Sequence, residues 1–78
     1  MLFMKIQPGI YQHYKGPLYR VIGAARHSET EEWLVTYQTL YGEFDLWVRP
    51  LAMFLATVTL DSGEQVARFK LIQPLAPL

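Results

Sequence analysis

The residues best suited to chemistry in this 78-residue chain are aromatic, imidazole and guanidinium side chains in separate segments. Aromatic rings offer stacking area, and a guanidinium offers forked hydrogen bonds and cation–π contact. Such groups suit a planar ligand with an anionic or carbonyl group, which Arg49 would meet. Tyrosine and tryptophan in a small domain usually belong to its core, so the surface exists only if the fold gathers these residues. The candidate ligand-binding residues are His13, His27, Glu29, Tyr37, Tyr41, Trp47 and Arg49.

His27 and Glu29 also permit an enzymatic alternative. Imidazole titrates near neutral pH and a carboxylate can orient it, so the pair is a candidate general acid and base. With Arg49 as an electrophilic stabiliser, it would serve a small hydrolase or lyase. A histidine beside a serine and a glutamate more often orders a loop by hydrogen bonding, and neither serine lies in a nucleophile motif. The pattern therefore favours a non-enzymatic binding module.

Composition argues against metals and cofactors. The chain has no cysteine, which excludes a disulfide framework and thiolate zinc sites. Adding His13 to His27 and Glu29 gives ligands of the right kind for a metal, but their spacing matches no recognised metal motif. The five glycines are scattered singly, so no phosphate-binding loop is expected. We expect no metal and no cofactor.

Charge and hydropathy limit the partners. Seven basic and seven acidic residues give zero net charge, which disfavours nucleic acid, although exposed aromatic rings would suit single-stranded bases. No apolar run reaches the roughly 18 residues of a membrane span, and Pro8-Gly9 interrupts the apolar start too early for a signal sequence. We expect a cytoplasmic protein that binds a small molecule or another protein.

Turn chemistry and alternation predict the elements that must position these side chains. Strands are predicted at residues 10–14, 18–27, 46–49, 54–60 and 65–72. Glycine and proline indicate turns at Lys15-Gly16-Pro17 and Asp61-Ser62-Gly63-Glu64, and Pro50 ends a strand. Five short strands predict an all-β fold, a small five-stranded barrel that is closed or nearly closed, with one short helical turn at residues 51–54.

Two segments carry further detail. In residues 18–27 the odd positions from Tyr19 to Ala25 form an apolar face, with Gly23 permitting close backbone approach or bending. Residues 28–42 fit either a helix, with a capping box from Ser28 to Glu31, or a hairpin. In the hairpin, residues 28–31 are the loop, and β-branched and aromatic residues 33–37 return as a strand. The pattern alone leaves both open.

Several motifs recur together, in the same order, in one known family. They are YQHYKG at 11–16, YRV at 19–21, ARHSET at 25–30, VTYQ at 35–38, LYG at 40–42, LWVRP at 46–50 and MF at 53–54. On these motifs the chain resembles a bacterial family, domain of unknown function 1653, over roughly residues 8–70. The resemblance implies a compact β domain of the SH3-like barrel type and brings no activity with it. It also favours the hairpin, because related sequences often have glycine where this chain has Glu31.

The length allows one domain, residues 1–78, with an ordered core at about 9–72 and short apolar tails at both ends. These tails, Leu2-Phe3-Met4 and residues 71–78, would be apolar enough to drive self-association. A purely structural subunit is therefore a third hypothesis.

Overall fold

The structure, a computed structural model, describes residues 5–77 as short antiparallel strands with one helical turn. The elements are β1 (Gly9–His13), β2 (Leu18–Arg26), β3 (Trp33–Thr39), β4 (Leu46–Pro50), α1 (Leu51–Phe54), β5 (Thr57–Thr59), β6 (Gln65–Ala67) and β7 (Phe69–Pro74). Five strands form one sheet in the order β4-β3-β2-β1-β7, and β5 pairs with β6 in a small separate sheet. The mostly β class and the short helix are confirmed. The main sheet is open, because among the described strands β4 and β7 have no second neighbour.

The turns lie where glycine and proline predict them. Gly16, at φ 115°, lies in the turn between β1 and β2, and Pro50 ends β4 immediately before α1. The β5–β6 turn is closed by the Leu60 N–H, which donates to the Glu64 carbonyl at 2.8 Å. These connections depend on local backbone chemistry, which a short stretch of sequence specifies.

Residues 28–42 form a hairpin and a further turn, so the helical alternative is wrong. Strand β3 pairs antiparallel with β2, from Tyr19 opposite Thr39 to Arg26 opposite Trp33. Glu31 in the connecting loop has a φ of 62°, the left-handed region that favours glycine. Glycine adopts this backbone conformation without strain, whereas Glu31 carries a Cβ.

The predicted alternation of β2 fails after its middle. The pairing of β2 with β3 shifts between Val21 and Gly23, which is a β-bulge. A bulge adds one residue to one strand and so exchanges the faces that follow it. As a result Ala24, and not Ala25, packs against the core. A Cβ at Gly23 would meet no atom within 4 Å, so the expected close approach is absent there.

The five strands of the main sheet are not the five predicted ones. Residues 33–39 join the sheet as β3, whereas residues 54–60 contribute only β5 to the small sheet. The predicted strand 65–72 is divided at Arg68. Its N–H donates to the Ala56 carbonyl at 3.1 Å, and its carbonyl accepts the Tyr14 N–H at 2.9 Å. The two halves therefore pair with different strands.

The core lies on one side of the curved sheet. Its buried residues are Ile6, Tyr11, Val21, Val35, Tyr37, Phe54 and Phe69. Phe54 comes from α1 and Phe69 from the start of β7, and their rings stack with centroids 4.0 Å apart. The helical turn therefore packs against the core side of the sheet.

The chain ends bear on the expected self-association. Leu2-Phe3-Met4 and Leu78 lie outside the described residues. Leu71 and Ile72 lie in β7, where they are 38% and 50% exposed.

No helix within residues 5–77 is long and apolar enough to cross a membrane.

Candidate functional site

Phe69 forms the floor between the two edges of the sheet. Its ring packs edge to face against Tyr19 at 5.5 Å and against His13 at 4.9 Å, and it stacks on Phe54. The Arg49 guanidinium lies 5.5 Å from the centroid of the same ring. Because Arg49 belongs to β4 and Phe69 to β7, this contact joins the two opposite edges of the open sheet.

An open groove of about 280 Å³ lies beside this floor, at the ends of β2, β3 and β4. Four of the predicted site residues line it. Tyr37 is buried at its base, Tyr41 and Trp47 are 48% and 55% exposed on its walls, and Arg49 is half-buried. The other lining residues are Tyr19, Thr39, Gly42, Glu43 and Asp45.

The turn between β3 and β4 positions the wall of the groove. Gly42 and Phe44 adopt φ values of 61° and 56°, which bend the chain sharply after Tyr41. The Thr39 hydroxyl donates to the Tyr41 carbonyl at 3.2 Å, and the Gln38 side chain donates to the Phe44 carbonyl at 3.0 Å. These side-chain bonds fix the turn, so the groove is formed before any ligand binds.

Arg49 is the basic residue that lines the groove. Its guanidinium lies on the Phe69 ring but makes no hydrogen bond and no ion pair with any residue in the described part of the chain. Glu43 and Asp45 line the same groove without pairing with it. A guanidinium has five N–H donors in a planar fork, and these can receive a carboxylate or a carbonyl oxygen.

Two tyrosine hydroxyls form one wall of the groove. The Tyr19 and Tyr41 hydroxyl oxygens lie 3.0 Å apart, and the rings meet edge to face at 5.7 Å. Burial raises the pKa of Tyr19 to about 12, and the hydrogen bond to Tyr41 adds to this shift. The Tyr19 hydroxyl is therefore uncharged at neutral pH and can donate a hydrogen bond.

His13 lies on the other side of Phe69 and does not line the groove. Its Nδ1 accepts the Lys15 backbone N–H at 3.2 Å. Burial lowers the pKa of His13, and the nearby charges of Arg49, Arg68 and Lys15 lower it further. The imidazole is therefore neutral at neutral pH, and Arg49 affects it through space.

His27 and Glu29 lie in the β2–β3 loop, at the opposite end of β3 from Tyr41, and neither lines the groove. The His27 Nδ1 accepts the backbone N–H groups of Glu29 at 3.1 Å and Thr30 at 3.3 Å. The expectation that the Glu29 carboxylate orients His27 is thus corrected, because the bond comes from the backbone. No three His, Cys, Asp or Glu side chains among residues 5–77 form a group that could hold a metal ion.

Sequence reasoning missed Tyr19, Glu43 and Asp45 as parts of the groove. Asp45 could have been found, because residues two apart on a strand share a face and Asp45 precedes Trp47 by two. Tyr19 belongs to the predicted apolar face of residues 18–27, but the sequence does not predict that it contacts Tyr41. That contact joins residues 22 apart and requires the hairpin register.

The fold and the site define a small, mostly β domain with a preformed aromatic groove at the edge of its sheet. The chain belongs to the DUF1653 family, a protein family of unknown function, whose family model matches residues 9–71. The crystal structure of a DUF1653 protein from Bordetella bronchiseptica is similar to it, with 34% sequence identity and a TM-score of 0.80. The match covers 95% of this chain and 96% of that one, and the resemblance stated above is confirmed. Comparison with curated proteins gives no match.

Proposed function

We propose that this protein is a non-enzymatic binding module whose groove takes a small planar ligand with a carboxylate or carbonyl group. Arg49 would receive the oxygen atoms, and Trp47 and Tyr41 would contact the flat face of the ligand. The observation that carries the proposal is the half-buried Arg49 guanidinium, which has no hydrogen-bond partner among the described residues. No guanidinium nitrogen of Arg49 is a buried atom without a partner, so its N–H groups are accessible from the groove and can bind a ligand.

The acidic residues of the groove restrict the kinds of ligand that would fit. Asp45, immediately before β4, and Trp47 and Arg49 within it are two residues apart, so their side chains lie on one face. An acidic group, an indole and a guanidinium therefore follow one another along the groove. This order suits a ligand with an anionic end, a flat body, and a hydrogen-bond donor or cation at its other end.

The enzymatic alternative has less support. It requires His27 and Glu29 to act with Arg49, but neither is among the residues that line the groove. The His27 Nδ1 already accepts two backbone N–H groups. Nucleic acid is also disfavoured, because Glu43 and Asp45 lie beside the aromatic rings on which bases would stack and would repel phosphates.

We also propose that the sheet is an SH3-like barrel left open between β4 and β7. The contact of Arg49 with Phe69 supports this, since it brings the two edge strands to one shared floor. The helical turn α1 and the β5–β6 hairpin would then close the barrel at its ends. In this arrangement the groove is the mouth of the barrel.

Binding of three small probes would test the proposal. Benzoate, benzamide and benzylamine share one ring and differ in charge, so they separate anion recognition from stacking. We expect the indole N–H signal of Trp47 to shift most with benzoate in proton–nitrogen NMR spectra, and the signal of Trp33 to remain in place. Thermal shift measurements should agree, because a ligand that binds only the native state raises its unfolding midpoint.

Matched variants locate the binding. Arg49→Met should abolish the preference for benzoate over benzamide, and Trp47→Ala should weaken both probes. Arg20→Met is the control, because Arg20 is a half-buried arginine in the same sheet that does not line the groove. A preference for benzoate over benzamide that Arg49→Met leaves unchanged would contradict the assignment of Arg49 as the anion-binding group.

A further inference from the structure

Strand β4 is a free edge with apolar side chains. It pairs with β3 on one side, and no other described strand covers its second side. Leu46 and Val48 are 63% and 59% exposed, and Trp47 between them is 55% exposed. Proteins usually protect an edge strand with charges or prolines, because its unpaired backbone groups readily accept another strand.

The hydrogen-bond pattern shows which backbone groups are free. Thr39 N–H donates to the Asp45 carbonyl at 3.1 Å, which continues the β3–β4 register one pair beyond Gln38 opposite Leu46. In an antiparallel pair, alternate residues bond to the same neighbour, so Trp47 and Arg49 also face β3. The N–H and C=O groups of Leu46 and Val48 therefore point outward.

The ends of this edge define its centre. Phe44, with a φ of 56°, is not extended and interrupts the strand before Asp45. Pro50 has no N–H, and its nitrogen lies on the outward side, where proline is tolerated in an edge strand. Residues 45–49 remain available for pairing, and Trp47 is their centre.

This segment is complementary to itself when two copies run antiparallel about Trp47. Leu46 would exchange two hydrogen bonds with Val48 of a second copy, and the two-fold axis repeats them. Asp45 would lie opposite Arg49 of the second copy, at a position without hydrogen bonds, where facing side chains are closest. Opposite charges thus meet twice across the axis. A foreign strand would need this same order of charges, and this chain already carries it.

The other free edge is less suited to pairing. Strand β7 has Lys70 as its second residue and Pro74 as its last, and both residue types protect edge strands from pairing. Pairing β4 with β7 of another copy would leave one free edge at each end and would build an open filament. Pairing β4 with β4 closes after two copies.

We propose that this protein forms a two-fold dimer in which β4 pairs antiparallel with β4 of a second copy. The two sheets become one continuous sheet, and Trp47 of each copy lies beside Trp47 of the other. The inference goes beyond the proposed ligand and does not rest on it. The two share Arg49, and Asp45 of the second copy would occupy the guanidinium that the ligand needs, so ligand and dimer would compete. A single pair of short strands buries little area, so the dimer should be weak and reversible.

Sedimentation equilibrium of the full chain, from about 10 µM to about 1 mM, would measure this association. Asp45→Arg alone and Arg49→Asp alone should each weaken it at least about tenfold, because like charges then face each other. An equimolar mixture of these two variants should associate again, because opposite charges face each other in the mixed pair. Circular dichroism would verify that each variant is folded.

A second pair of variants keeps the test independent of Arg49. Val48→Lys places a charge on the outward edge and should weaken the dimer, whereas Ile72→Lys on β7 should not. A wild-type protein that stays monomeric at about 1 mM would overturn the proposal and leave the edge to a strand of another protein. So would a mixture of charge variants no more associated than its components. Loss of the dimer with Ile72→Lys would also contradict the proposal, because it would show that β7 forms the interface.

Discussion

The β2–β3 loop and the groove beside the β3–β4 turn contain similar side chains with opposite consequences. Each lies at one end of β3 and combines a cation, aromatic rings and carboxylates. In the loop, the His27 Nδ1 accepts the backbone N–H groups of Glu29 and Thr30. Arg26 donates to the Glu31 carbonyl at 3.0 Å. The His27 ring and the Arg26 guanidinium are therefore satisfied by backbone groups of the loop.

In the groove, the equivalent groups have fewer partners. Arg49 contacts the Phe69 ring, and Trp47 is more than half exposed, yet neither side chain hydrogen-bonds to another residue within 5–77. Residue type alone does not separate a binding surface from a well-closed loop. The difference lies in whether the fold itself satisfies the polar groups, because a satisfied group gains little from a ligand.

Removing the aromatic floor should produce the largest effect, because the groove has such a floor and the loop does not. Phe69→Ala should cost about 3 to 5 kcal/mol of unfolding free energy, since the buried ring contacts Phe54, Tyr19, Tyr37 and His13. Urea unfolding followed by circular dichroism measures it.

Phe44→Ala is the matched control for the floor, because Phe44 is 54% exposed in the turn. It should change the unfolding free energy by no more than about 0.5 kcal/mol. Similar losses for the two phenylalanines would mean that Phe69 does not hold the groove together.

The next variants compare the two regions directly. His27→Ala should cost about 1 kcal/mol, as loss of a helix cap does, because two backbone N–H groups lose their acceptor. His27→Asn should lose much less stability, since the asparagine side-chain oxygen can accept the same hydrogen bonds. Arg49→Met should change stability by less than about 0.5 kcal/mol, because methionine also packs well on a ring. A larger loss for Arg49→Met than for His27→Ala would reverse the comparison.

The sequence predicts the local features of both regions well. Turns at Gly16, Pro50 and Gly63 follow from backbone chemistry that a few residues determine. It could not predict the bulge after Val21, because a bulge depends on the pairing of two strands and leaves no mark on the alternation of one. The division of the last predicted strand at Arg68 has the same origin, since its two halves pair with different neighbours.

The candidate site, too, is predictable from the sequence only where it depends on local features. Tyr41, Trp47 and Arg49 line one groove because they lie on adjacent strands and on the turn that joins them. His27 has the residue type of a ligand-binding group, but its partners are backbone N–H groups that any sequence supplies. Their number and direction follow from the loop conformation, which the side chains alone do not reveal.

Glu31 offers a smaller change that sharpens the comparison from the loop side. Its φ of 62° strains a residue with a Cβ by about 1 to 2 kcal/mol, whereas glycine adopts it freely. Part of this gain is lost through the greater freedom of glycine in the unfolded chain, so Glu31→Gly should stabilise by about 0.5 kcal/mol. Glu32→Gly is the control and should not stabilise, because Glu32 has no positive φ. Equal destabilisation by both would show that the loop tolerates Glu31 without strain.

The smallest effect concerns His13, which shares the Phe69 floor with Arg49. Its pKa is lowered in the folded state, chiefly by burial and then by the charge of Arg49. Below pH 6.5 the unfolded state therefore binds more protons than the folded state, and stability falls as pH falls through this window to the folded pKa. His13→Gln should flatten that dependence.

Arg49→Met should raise the pKa of His13 in NMR titrations, and by more than Lys15→Met does, because Arg49 is the stronger of the two influences. Equal shifts of the His13 pKa in the two variants would contradict the stronger influence of Arg49 on His13.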